Sequence, residues 1–477
     1  MSRLRTQILL AGALGLGVLT AGLAWRSHAA RQRWQDMRPG LPDLVGDSAP
    51  GLDARLASCF SRLQAWPPDR AALGDFARLC HANGLLQPAI TAYQALVVLE
   101  PSEPRWPHLL AAILGSYGRL DEALPLLRRT TALAPGYLPG WLRLGDALFK
   151  ADATAEAEAA FQEALKRAPG DPFALLGLAR CDLQLERWTA ARSHLQQAVA
   201  GDPHFADAQS LLASVFERLG NPEAAAVARG RVANEGHYTE PPDAWTDELT
   251  PYCHNPYTLL VAAAAATSEG TPAKALAPLN RALALAPDDP RIHRQKAKIL
   301  SNLGDMKGAR AALEKAVALA PNDENMLIDL VALLRAVKDQ AALERAVTTG
   351  VAACPNSAAL HYEAGLLAAQ GGRLAEAADH FQFTWKNRPE KPAAARELAK
   401  VYFRSGRDDD GVTVLEKILV VTPRDTDTHV LLVQHGIETG DPRTAAWLRQ
   451  ALQAGAPGLP EAELQQAYVR RFGARIP

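Results

Sequence analysis

Apolar side chains along this chain recur three and four residues apart, with small residues set among them at fixed points. Trp141, Leu144, Gly145 and Leu148 fall on one face of a predicted helix. Ala157, Phe161 and Ala164 fall on one face of a second helix, which Pro169 ends. This is the helical period, in which residues three or four apart meet the same neighbour. The two-helix pattern then repeats. Its proline returns every 34 residues as Pro67, Pro101, Pro135, Pro169 and Pro203, and again as Pro287, Pro321, Pro355, Pro389, Pro423 and Pro457. A fixed period of this length marks stacked helix pairs rather than a compact enzyme fold. Proline cannot continue a helix, so each one separates a unit from the next.

Placing the proline at the end of each unit divides the chain. A capping helix from Leu52 to Ala65 and five units fill 52–237, and six more units fill 254–457. Glycines at Gly118, Gly220, Gly304 and Gly372 close first helices inside their units. Residues 238–253 push 16 extra residues into the register. Pro241, Pro242 and Pro251 argue against a helix there, and Trp245 and Tyr252 are costly to leave in water. The stretch is expected to pack back onto a neighbouring helix, as a hinge or plug between two blocks; the other reading is a binding loop that enters a groove. After Pro457, Leu464, Tyr468 and Phe472 recur at helical spacing and read as a terminal cap over 458–477.

Small residues recur where the helices of a pair would cross. The second helix carries Ala89, Ala123, Ala157, Ala191, Ala225, Ala275, Ala309, Ala377 and Ala445 at one position, with Leu343 and Gly411 departing. Together with Trp141, Leu144, Gly145, Ala157, Phe161 and Pro169, these residues resemble the tetratricopeptide repeat over about residues 68 to 457. The resemblance implies an all-α fold, a right-handed α-solenoid of about eleven helix-turn-helix units. It also implies that first helices line a concave groove where partners bind as extended or helical peptides, and that the chain is not an enzyme.

On that register, positions −2, +1, +5, +8 and +9 from the Trp141 equivalent should face the groove. Across eleven units they hold twelve basic and five acidic residues, on a chain of net charge −1. Arg291, Arg294 and Lys298 share one helix face, and Arg396, Lys400 and Arg404 share another. Arg335 and Tyr362 lie between the two stripes, and Phe403 flanks the second. These nine are the candidate partner-binding residues, and a basic groove with aromatics suits an acidic peptide. The balanced overall charge gives no field for nucleic acid.

Five scattered cysteines and unpaired histidines offer no metal or disulfide spacing, and no phosphate-binding, nucleophile or dinucleotide motif occurs. No cofactor is expected. His81 and His108 are placed on the groove face as single exposed histidines. The acidic run Asp408-Asp409-Asp410 reads as a solvated turn.

At the other end of the chain, Arg3 and Arg5 precede an uncharged stretch from Thr6 to Trp25, long enough to span a bilayer. We expect a transmembrane or signal-anchor helix at 6–25, of the kind found in anchored bacterial repeat proteins, and a juxtamembrane linker at 26–51. The repeats would then lie outside the cytoplasm, beyond an inner membrane. A cleaved signal peptide and an exported soluble protein is the alternative. The functional expectation is a membrane-anchored scaffold that binds a partner protein; the alternative is a dedicated accessory subunit of an exported enzyme or envelope assembly complex.

Overall fold

A computed structural model of the chain describes residues 27–42, 51–235, 240–268 and 271–473. The expected membrane helix at 6–25 lies outside the described residues, as do Tyr238 and Thr239 at the start of the 238–253 stretch. Among the described residues no helix is long and apolar enough to cross a membrane.

Eleven helix pairs follow one another among the described residues, from Arg70–Ala82 with Leu86–Leu99 to Thr426–Thr439 with Thr444–Ala454. No described residue lies in a strand. Second helices stop two residues before the ladder proline: Leu99 before Pro101, Leu133 before Pro135, Leu319 before Pro321 and Asn387 before Pro389. The proline does more than end a helix. Its carbonyl accepts a hydrogen bond from the side chain six residues later: from Trp141 Nε1 at Pro135 (2.9 Å), Gln209 Nε2 at Pro203 (2.9 Å), His361 Nε2 at Pro355 (3.1 Å) and His429 Nε2 at Pro423 (2.8 Å). Tryptophan, glutamine and histidine serve equally at this position because each offers one N–H at the right reach.

The turn inside ten of the units, among the described residues, needs one residue in the left-handed region. Gly84, Gly118, Gly220, Gly304, Gly372, Gly406 and Gly440 supply it, with φ between 68° and 83°. Asp152, Glu186 and Lys338 occupy the same step with φ of 58°, 56° and 59°. A side chain there costs energy that glycine avoids. Lys338→Gly is therefore expected to stabilise its unit by about 0.5–1 kcal/mol, after allowing for glycine's looser unfolded chain. A higher urea midpoint checks this; an unchanged or lower one would show that the turn carries no strain.

The chain divides into two compact units, Met1–Pro287 and Asp288–Pro477. The division falls after the sixth helix pair rather than at the 238–253 break. The reason is local: Arg281, in the second helix of that pair (Leu276–Leu285), donates to the Cys253 carbonyl at 3.0 Å and so ties the pair to the segment before it.

In the N-terminal unit, the ring of Phe161 sits between Gly145 and Gly177, where added Cβ atoms would stand 2.6 and 2.4 Å from it. Phe381 meets Gly365 in the same way in the C-terminal unit. In both places a large ring of a second helix fills the space that glycine leaves on a first helix.

The stretch 26–51 differs from a plain linker. Residues 27–37 are helical, and Trp34 is 2 % exposed in the same core cluster as Leu52, Leu56 and Leu63 of the Leu52–Leu63 helix. Pro39, Gly40 and Pro42 follow it, and Gly46, Pro50 and Gly51 come later in the sequence. At the far end, Leu464 and Tyr468 of Glu461–Phe472 are buried, and Arg470 and Arg471 face outward, as a cap requires.

Candidate functional site

The first helices of the first three pairs, Arg70–Ala82, Arg105–Ser116 and Leu138–Lys150, present side chains to a common face. Residues 243–254 lie on it, running back from the third pair to the first. The segment begins with a short helix, Ala244–Asp247, and a single 3-10 turn, Thr250–Tyr252. Asp243 caps the short helix and receives the Trp245 and Thr246 N–H groups.

Asp243 is also the principal anchor. It is 6 % exposed, and its carboxylate accepts from His108 Nε2 at 2.7 Å, Tyr137 Oη at 2.6 Å and Arg143 Nε at 2.9 Å. Burial opposes its charge, but the bonds from His108 and Tyr137 and the nearby Arg143 outweigh that, holding the carboxyl well below the usual range. His108 is 0 % exposed. Burial pushes its pKa down, against the opposing pull of Asp243, so the ring is neutral at pH 7 and donates from Nε2. Its Nδ1 is buried with no hydrogen-bond partner.

Three more anchors follow. The Trp245 ring stacks on Tyr137 at 3.6 Å between centroids and 17° between planes, with the His108 ring edge-on at 5.2 Å. Glu248 lies 3.5 Å from Arg105 and 3.8 Å from Arg78. Tyr252 donates its hydroxyl to Asp75 at 2.7 Å, and the Arg78 guanidinium lies 4.9 Å from its ring centroid. Asn83 holds the end of the segment, donating to the Tyr252 carbonyl (2.8 Å) and accepting from the His254 N–H (2.7 Å). Arg78, Arg105 and His108 all stand in the five columns assigned to the groove. The segment therefore enters the groove of its own unit. His108 is no exposed histidine, because Trp245 and Asp243 cover it. His81 is withdrawn too; burial lowers its pKa to about 4.

The strongly basic groove needs correcting. Arg78, Arg105, Arg180, Arg291, Arg294, Arg335, Arg396 and Lys400, eight of the twelve counted cations, have carboxylate partners. Asp146, the partner of Arg180, stands in a counted column and Glu248 in the inserted stretch, but most of the other partners occupy columns outside the five counted. Asp75, Asp329, Glu363 and Glu397 stand two residues after the Trp141 equivalent, and Glu103, Asp289 and Asp425 four before it. A wider count would have found them.

Within the C-terminal unit the nine candidates sort as follows. Arg291 pairs with Asp289 (2.6 Å), Arg294 with Asp329 (2.6 Å), Arg335 with Glu363, Arg396 with Asp425 (2.6 Å) and Lys400 with Glu397 (2.7 Å). Lys298 and Arg404 are exposed, with no ion-pair partner among the described residues. Tyr362 is half-buried, edge-on to Phe381 at 5.7 Å. Phe403 turns inward: its ring stacks on His435 at 3.5 Å and closes over Gly411. It packs two units together rather than flanking a groove.

Elsewhere, Asp408, Asp409 and Asp410 open the Asp408–Val421 helix and face His435, Arg443 and Arg407 at 3.5, 2.9 and 2.7 Å. Among the described residues no cluster of three or more His, Cys, Asp or Glu side chains could hold a metal ion.

Paired helices at a 34-residue period and a small-residue crossing, with a folded-back segment seated on first-helix faces, define a helical-repeat protein. The chain belongs to the tetratricopeptide repeat family: one model of that repeat matches residues 116–172, 148–215 and 368–434, a second matches 263–332, and a third matches 340–382. No curated protein matches it. Among solved structures it is similar to MamA of Desulfovibrio magneticus RS-1 from residue 41 to the end, at 21% identity over 36% of this chain and 96% of that one, with a TM-score of 0.32. PilF of Pseudomonas aeruginosa gives 16% identity over 44% and 96%, with a TM-score of 0.36. Yeast Tom70 gives 13% over 84% and 96%, with a TM-score of 0.33. Scores this low leave the family assignment to the repeat models.

Proposed function

We propose that this chain is a non-enzymatic scaffold that binds a partner protein through first-helix faces, held at a membrane by residues 6–25. The observation that carries the reading is the segment at 243–254, because a first-helix face of this chain already holds a short helix and turn through an anchored carboxylate and a stacked indole. In the C-terminal unit, Arg291, Arg294, Arg335 and Lys400 on the corresponding face are 64, 41, 44 and 49 % exposed. An acidic partner segment is the chemistry that fits there. Lys298 and Arg404 supply two charges with no ion-pair partner among the described residues, and Tyr362 supplies apolar surface. The paired arginines set geometry, since their charge is already balanced.

The test compares the full chain with a Lys298→Glu/Arg404→Glu variant in affinity capture from membranes. Partners retained by the parent are expected to fall by about tenfold with the variant, and their capture to weaken with salt. Equal recovery by both, at equal folded content, would sink the reading. The membrane part rests on Arg3 and Arg5 ahead of the Thr6 to Trp25 stretch. Reporter fusions at the C-terminus test whether the repeats lie outside the cytoplasm, and an active cytoplasmic reporter rejects that placement.

A further inference from the structure

The segment at 243–254 is held as a bound peptide is held. Its four anchors are side chains at 243, 245, 248 and 252: a carboxylate, an indole, a second carboxylate and a phenol. Most of the residues that receive them lie on, or cap, the first helices of three successive pairs: Asp75, Arg78, Arg105, His108, Tyr137 and Arg143. The seat continues past the resident. Beyond Glu240 and Pro241 a cleft of about 150 Å³ runs on between the third, fourth and fifth pairs, lined by Leu142, Asp146, Phe173, Arg180 and Asp207. A longer ligand entering from that side would meet everything the resident meets and more.

We propose that the first-helix face of the N-terminal unit is a receptor for a partner segment of the pattern Asp-x-Trp-x-x-Glu-x-x-x-Tyr, and that residues 243–252 are a tethered competitor which that partner displaces. The proposal rests on the reading of first-helix faces as binding surfaces and adds the ligand class. Charge complementarity supports the choice. The two carboxylates of the pattern meet Arg143, beside the neutral donor His108, and Arg78 with Arg105. Its two rings meet the Tyr137 face and the Arg78 guanidinium. A tethered segment acts at a local concentration in the millimolar range, so a partner must bind the empty seat tightly to replace it.

The probe is a fluorescein-labelled synthetic peptide of residues 240–255, titrated against the full chain by anisotropy. It is expected to bind an Asp243→Ala/Trp245→Ala variant, whose own segment no longer competes, at least 100-fold more tightly than the parent. A peptide carrying the same two substitutions is expected not to bind. Added at millimolar concentration to the parent, the unsubstituted peptide should speed amide exchange over residues 243–253. If the double variant fails to fold, Trp245→Ala alone gives the same comparison with a smaller ratio. Equal affinity for parent and variant, or none for either, overturns the proposal. So does a concentration-dependent dimer formed by exchange of the segment between two copies. The peptide reads only the N-terminal seat, whereas Lys298 and Arg404 read the C-terminal face, so the two readings can fail separately.

Discussion

Asp243→Ala is expected to release the 243–252 segment from the N-terminal unit, with amide exchange over those residues rising about 100-fold at pH 7. The substitution removes the acceptor shared by His108, Tyr137 and Arg143, and the cap of the Ala244–Asp247 helix. In the docked state of the variant His108 would be buried with neither ring nitrogen satisfied, and Tyr137 would lose its acceptor. Unmade bonds of this kind, one of them charged, cost about 3 kcal/mol together, which is the two decades expected in exchange. Asp243→Asn keeps an acceptor but not the charge, so it should fall between the two. Acid should do part of the same work. His108 is held below its ordinary 6.5, so the released state binds the extra proton, and docking weakens as pH falls through about 6. Asp243 is held below its ordinary 3.8, so its own contribution is full at neutral pH and is lost only below about 4. Both shifts have the same sign. Unchanged protection in Asp243→Ala would mean that Trp245 and Tyr252 hold the segment without the carboxylate.

Gly177→Ala is expected to lower the stability of the N-terminal unit by about 2 kcal/mol, a large effect for one methyl group. The new Cβ would stand 2.4 Å from Phe161, and the ring cannot retreat because Gly145 bounds its other face. Overpacking of this sort is relieved by shrinking the partner. Phe161→Leu alone leaves a cavity, but combined with Gly177→Ala it should be less harmful than the two losses added, by about 1 kcal/mol or more. Urea unfolding followed by tryptophan fluorescence reads the four proteins of the cycle. Additive losses would show that the ring finds room elsewhere.

How much of this was legible beforehand depended on whether a feature was local. The helix pairs, their turns and the proline stops follow from spacing and backbone chemistry, and the eleven helix pairs match the units counted from the ladder. Trp245 and Tyr252 could be expected to find cover because large rings rarely stay wet. That Asp243 would meet His108, 135 residues away, has no local signature. The charge of the groove was misjudged for a simpler reason. Arginine side chains reach from one first helix to the next, so acids such as Asp329 and Glu363, on the neighbouring unit and in an uncounted column, neutralise cations that a narrow count leaves bare. Phe403 was placed by its position on the helix, whereas the absent side chain of Gly411 draws its ring inward.

A stack of helix pairs is ordinarily a one-dimensional object in which each pair knows only its neighbours, and the ends fray first. The segment at 243–254 breaks that rule in the N-terminal unit. It links Asp75 to Tyr252 and Asn83 to His254, spans of 177 and 171 residues, and so fastens the first pair to the stretch that enters the sixth. The line becomes a ring. Its first pair no longer has a free side from which to unzip, and the unit should open as a whole rather than one repeat at a time.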